Sequence, residues 1–146
     1  MSNLQAIAER INTGAADSTT SRALVVFNQT DQPLSGTAVF HAAMSWPLET
    51  PLPPIVVTDF DGNSIPCLVT EFSDGPDRKG RADQRHLAFA LRFAVQDVPA
   101  QGWRTYIASY AAQPSAETTT WLPSDTPGLL VVETLPHSGD LPPNSA

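Results

Sequence analysis

Apolar side chains along this chain change their period near Arg22. Before it, Leu4, Ile7, Ala8 and Ile11 recur at i, i+3, i+4 and i+7, which predicts one apolar stripe on a helix over residues 3–12. Ser2 with Gln5 three residues on resembles a capping box, and Gly14 supplies a stop. A helix this short does not hold by itself in water, so its stripe needs a surface to cover, in this chain or outside it. Residues 14–21 are small and polar and read as a linker.

From Arg22 onward the pattern is that of strands. Leu24-Val-Val-Phe27 predicts a strand buried on both faces, and residues 34–44 a longer, looser one. Trp46 to Pro54 carries prolines at 47, 51, 53 and 54 and reads as a connection, since proline cannot donate to a ladder. Residues 55–60 and 65–72 flank Asp61-Gly62, a short-range hairpin signal. The polar stretch 73–86, where Arg78, Lys79, Arg81 and Arg85 interleave with Asp74, Asp77 and Asp83, reads as a solvated loop. Leu87, Phe89, Leu91, Phe93 and Val95 alternate with smaller or polar residues, the mark of a strand with one buried face. Pro99 to Gly102 is a turn in which Gly102 is free to take positive φ; strands follow at 103–110 and 129–135. Seven or so short strands separated by turns predict an all-β fold, an antiparallel sandwich preceded by one short helix. The expected division is 1–21 helix and linker, 22–135 sandwich, and 136–146 a loose, proline-containing tail.

Composition narrows the function classes. Fourteen prolines and eight glycines in 146 residues suit turns and short strands better than long helices. Eight basic against fifteen acidic residues give a net charge of −7, which disfavours nucleic acid and anionic membrane as partners. The single cysteine, Cys67, allows no internal disulfide and no site built on paired thiolates. The N-terminus lacks a basic region followed by an apolar stretch, so a cytoplasmic location is the expectation.

Few residues offer chemistry. Asp59-Phe-Asp61-Gly62-Asn63 superficially suggests a calcium loop, but an EF-hand wants glycine sixth and glutamate twelfth, where this chain has Gly62 fourth and Thr70 twelfth. His41, His86 and His137 lie far apart without ligand spacing, so no metal site is predicted. Cys67 sits in an apolar strand as a small hydrophobe, and no serine lies in a G-x-S-x-G elbow. Asn28-Gln-Thr30 matches a glycosylation pattern but closes a buried strand, favouring a structural asparagine. Trp46, Trp103, Trp121, Tyr106 and Tyr110 are the candidates for stacking on a sugar face, the three tryptophans foremost; ordinary core and edge packing is the reading favoured for them.

Three blocks carry a resemblance. Leu24-Val-Val-Phe-Asn28, then Val57-Thr-Asp-Phe-Asp-Gly-Asn63 before Ile65-Pro66, then Asp97-Val-Pro-Ala-Gln-Gly-Trp-Arg-Thr-Tyr106 resemble, in order and approximate spacing, the β-sandwich region of glycoside hydrolase family thirty-eight α-mannosidases. The third block is the most specific, through Pro99, Gly102, Arg104 and Tyr106; Gln29, Cys67 and Leu68 depart from the family pattern. The resemblance spans residues 22–110 and makes Asn28, Asp61, Gly62, Pro99, Gly102, Arg104 and Tyr106 its motif positions. Five of these have structural readings that need no substrate: Asn28 bonding its own turn, Asp61-Gly62 turning a hairpin, Pro99 and Gly102 shaping a corner. Arg104 either supports a sugar cleft or pairs with an acid on the sheet face, the second being favoured.

The resemblance implies that zinc and the aspartate nucleophile belong to a separate α/β domain, so no catalytic residue and no cofactor is assigned to this chain. It also likens the helix at Leu4 to the one that leads into the family's first sandwich domain. The expected role is a non-catalytic domain packed against the catalytic domain of a parent retaining α-mannosidase. The alternative is an independent carbohydrate-binding module for mannose-containing glycans. A stand-alone hydrolase ranks last, for want of a visible nucleophile, base or metal set; convergent acids lining a deep hollow would revive it.

Overall fold

A computed structural model describes residues 4–14, 21–47, 55–76, 79–110, 126–134 and 137–145. In chain order these form α1 (Leu4–Ala8), β1 (Ser21–Asn28), β2 (Leu34–Pro47), β3 (Ile55–Asp59), β4 (Ser64–Ile65), β5 (Cys67–Pro76), β6 (Gln84–Val98), β7 (Trp103–Tyr110) and β8 (Leu129–Thr134). The strands make two sheets, one in the order β4-β3-β7-β1-β8 and one in the order β2-β6-β5. Every pairing between strands is antiparallel, as an all-β sandwich requires.

The alternation in β6 decides how the sheets meet. Phe89, Leu91, Phe93 and Val95 point inward against Leu24, Val26, Val57, Tyr106 and Ala108 of the facing sheet, all nearly or fully buried. Burying one such large apolar side chain contributes about 1.5–3 kcal/mol, so the inward rows of β1 and β6 supply much of the fold's stability.

The strand β1 is buried on both faces, as its continuous apolar run predicts. Leu24 and Val26 enter the inter-sheet core, while Val25 and Phe27 face outward beneath Ala8 and Ile11. The stripe of α1 therefore finds its surface within this chain. The helix is shorter than the sequence periodicity suggests, because Ile11 leaves it to form an isolated parallel bridge with Leu141.

Four further boundaries differ from the sequence reading. The segment 65–72 is not one strand: it breaks at Pro66, which cannot donate to a ladder, and the chain there crosses from β4 in one sheet to β5 in the other. The supposed loop 73–86 is mostly strand, with Ser73 opposite Ala88 and Pro76 opposite Arg85. There Arg85 forms a cross-strand ion pair with Asp74 at 2.7 Å, a pairing that charge interleaving alone does not reveal. The described part of the tail, 137–145, is not loose: its backbone bonds residues 10–13 and Trp103. The connection read at 46–54 starts later, because Trp46 and Pro47 still pair with Arg85 and Gln84 at the end of β2, an edge strand where proline is tolerated. The rest of that connection, 48–54, and Trp121 lie outside the described residues.

Candidate functional site

The β3–β4 hairpin is organised by Asp59. The Asp59 carboxylate accepts the backbone N–H groups of Asp61 and Asn63 and the Asn63 side-chain amide, each at 2.9 Å. The Gly62 N–H donates to the Asp59 carbonyl at 3.1 Å, and Gly62 takes φ +91°, which glycine adopts without strain. Partial burial pushes the Asp59 carboxyl up, but hydrogen bonds from Asn63, Asp61 and Gly62 outweigh it and hold the group below its ordinary value.

The corner between β6 and β7 is built from the third sequence block. Gly102 donates its N–H to the Pro99 carbonyl at 2.9 Å, closing a tight turn. Positive φ falls on Gln101 (55°) and Asp97 (53°), not on Gly102 as the sequence suggests. Gly102 is required for space instead: a Cβ there would meet Ser145 Oγ and come within 3.1–3.2 Å of Pro99. Gln101 is held by its side-chain amide, which donates to the carbonyls of Gln29 and Thr30.

Asn28 joins this corner to the end of β1. Its Nδ2 donates to the carbonyls of Gln32 (2.7 Å) and Val98 (3.0 Å), and its Oδ1 accepts the Thr30 N–H and hydroxyl at 2.9 and 2.6 Å. Only 2% of Asn28 is exposed, so its amide is a structural knot rather than an attachment point.

Hairpin and corner together wall an open cleft of about 450 Å³, lined by Asp59, Asp61, Asp97, Arg104, Tyr106 and Asn144 among others. Register brings them together, since Asp59 of β3 pairs with Tyr106 of β7. Tyr106 is 3% exposed and packs its ring against Phe93 at 5.4 Å; burial, more than its charged neighbours, pushes its phenol up and keeps it neutral. Arg104 donates its Nε–H to the Asp97 carbonyl at 3.0 Å, and among the described residues no carboxylate lies within ion-pair distance of it. Thus Asn28, Pro99 and Gly102 meet at one point, and Asp61, Arg104 and Tyr106 at an adjoining one. Asp97 and Asn144 are cleft residues that sequence reasoning did not single out, and Asp59 was weighed only within the rejected calcium loop. Asp59 carried a signal in its Asx-turn spacing to Asp61 and Asn63; Asn144 carried none.

Three carboxylates, Asp59, Asp61 and Asp97, line the hollow in different environments. A general acid needs a carboxyl held above its ordinary value, whereas Asp59 is shifted the other way and its oxygens serve the turn. Asp61 and Asp97 are exposed to solvent on the cleft's rim. Among the described residues no three His, Cys, Asp or Glu side chains are grouped to hold a metal ion, so these residues offer zinc no site.

The other candidates lie away from the cleft. Cys67 is 1% exposed with its thiol toward the Ile55 carbonyl at 3.6 Å, and burial pushes the thiol up. His137 bonds the Glu9 carbonyl through Nε2 at 2.8 Å, while His41 is exposed on β2. Trp103 is tilted against Phe27 at 6.3 Å and its indole N–H donates to the Pro142 carbonyl, so its ring and polar tip both serve packing. The side chain of Trp46 and all of Trp121 lie outside what is described.

Comparison with known proteins rests on shape alone. No family profile matches the chain, and no curated protein matches its sequence. Among solved structures it is similar to a glycosyl hydrolase family 38 protein from Enterococcus faecalis, with a TM-score of 0.54 and 13% identity. It is likewise similar to an α-mannosidase from Enterococcus faecalis V583, with a TM-score of 0.52 and 15% identity. Each match covers 81% of this chain and 15% of the other, so the chain spans a small part of the structures it matches. The β-sandwich described here is thus similar to the fold of one region of these much larger chains.

Proposed function

We propose that this chain is an accessory sandwich domain of an α-mannosidase-like glycoside hydrolase, packed against a separate domain that carries the zinc and the nucleophile. The observation that carries this reading is the fold match, which takes in 81% of this chain and only 15% of each larger one. Two features of the site agree with it. The acids of the cleft are a turn cap and two rim carboxylates, and the three sequence blocks behind the resemblance meet at one end of the sandwich. Bond breaking then belongs to the partner domain, and this chain contributes a rigid wall against which that domain is held.

The test is capture of activity. Tagged chain, immobilised and exposed to an extract of its own cells, should retain hydrolysis of 4-nitrophenyl α-mannoside after washing, while the purified chain alone shows none. Turnover by the purified chain would support a hydrolase instead, and saturable quenching of tryptophan fluorescence by mannose glycans would support a binding module.

A further inference from the structure

The strand β3 leaves its sheet early. It runs alongside β7 only as far as Asp59, opposite Tyr106, so among the described residues no strand flanks the first residues of β7 on that side. The segment 137–145 fills the gap. The Trp103 N–H donates to Ser145 Oγ at 2.7 Å and the Ser145 N–H returns to the Trp103 carbonyl at 3.0 Å. Next along, the Thr105 N–H donates to Asn144 Oδ1 at 3.2 Å and the Thr105 hydroxyl to the Pro143 carbonyl at 2.7 Å. Asn144 is also part of the cleft wall.

The other end of the same segment clasps the chain just after α1. The Thr13 N–H donates to the His137 carbonyl and the His137 N–H to Thr13 Oγ1, both at 2.9 Å. The His137 ring bonds the Glu9 carbonyl at 2.8 Å. The Leu141 N–H donates to the Arg10 carbonyl at 2.9 Å, and the Asn12 N–H to the Leu141 carbonyl at 2.8 Å. Gly139 lies so close that an added methyl would meet the Arg10 carbonyl oxygen. Between the two sets of contacts stand Pro142 and Pro143, whose rings fix φ and make the link stiff.

We propose that residues 137–145 form a strap that couples the N-terminal helix to the cleft: displacing the helix end of the strap withdraws Asn144 and Ser145 from β7 and opens the cleft wall. Coupling of this kind is reciprocal, so loosening the cleft end loosens the helix clasp.

Amide hydrogen exchange of the full chain tests it. In His137→Ala and, separately, Gly139→Ala, exchange at Trp103 and Thr105 should speed up about tenfold while Leu91 in the core stays unchanged, the signature of local opening. In Asn144→Ala the reciprocal effect should appear at Thr13 and Leu141. Should Gly139→Ala fail to fold, His137→Ala, which adds no bulk, gives the same reading. Wild-type rates at Trp103 and Thr105 in a folded helix-end variant would overturn the proposal, whatever happens at Thr13 and Leu141.

Discussion

Asn28 reaches from the end of β1 to the carbonyl oxygen of Val98, 3.0 Å from its amide nitrogen and 70 residues away in the chain. The same side chain holds Gln32 and Thr30, so one buried amide ties the first and third sequence blocks together. Asn28→Ala leaves those carbonyls and the Thr30 N–H without their partner in a closed site, at a cost of about 2–3 kcal/mol. Asn28→Asp is expected to be no better, because a carboxylate cannot donate to two carbonyls. Urea denaturation of both variants measures this.

Gly102 and Ser145 occupy one another's space. Gly102→Ala is expected to lose about 1–3 kcal/mol as the added methyl forces the Ser145 hydroxyl or the Pro99 turn to move. Paired with Ser145→Ala, which removes the nearest obstructing atom, the same change should cost less than the two single losses summed. A double-mutant cycle reads the difference directly.

The sequence showed strands where packing is local and was silent where it is not. Trp103–Tyr110 falls where its apolar pattern places it, and the alternation from Leu87 to Val95 lies inside β6 and names its inward face. Asp61-Gly62 marks the hairpin because its turn is made within five residues, Asp59 to Asn63. The cleft is different. Asp59, Arg104 and Asn144 meet only because β3 pairs with β7 and the last segment returns across β7, and neither pairing leaves a periodic trace. Gly102 was legible as a glycine at a turn but not as a glycine under Ser145, since the obstructing atom arrives from 43 positions further along.

Burial raises the Cys67 thiol, so the folded chain keeps its proton at a pH where the unfolded chain has lost it. Stability is then unaffected near neutrality and falls as pH rises above the ordinary thiol value of about 9, because the unfolded state binds fewer protons there. A chromogenic disulfide reagent should leave the native chain unlabelled at pH 8 and label it at the rate of unfolding in urea. Rapid labelling of the native chain would contradict this.

Asp59 gives the opposite limb. Its carboxyl is lowered in the fold, so its contribution is present above the unfolded carboxylate value and is lost as pH falls through the folded one. In Asp59→Asn the acid-side loss of stability below about pH 4 should be shallower than in the parent chain, as chemical denaturation at a series of pH values would show.

On the proposed function, this sandwich serves a hydrolase whose bond-breaking groups lie on another domain. Nitrophenol release from 4-nitrophenyl α-mannoside, followed on washed beads that carry the chain after exposure to its own cell extract, decides the matter. Turnover is expected on those beads and none from the purified chain; turnover by the purified chain, or silent beads after extract, would overturn the proposal.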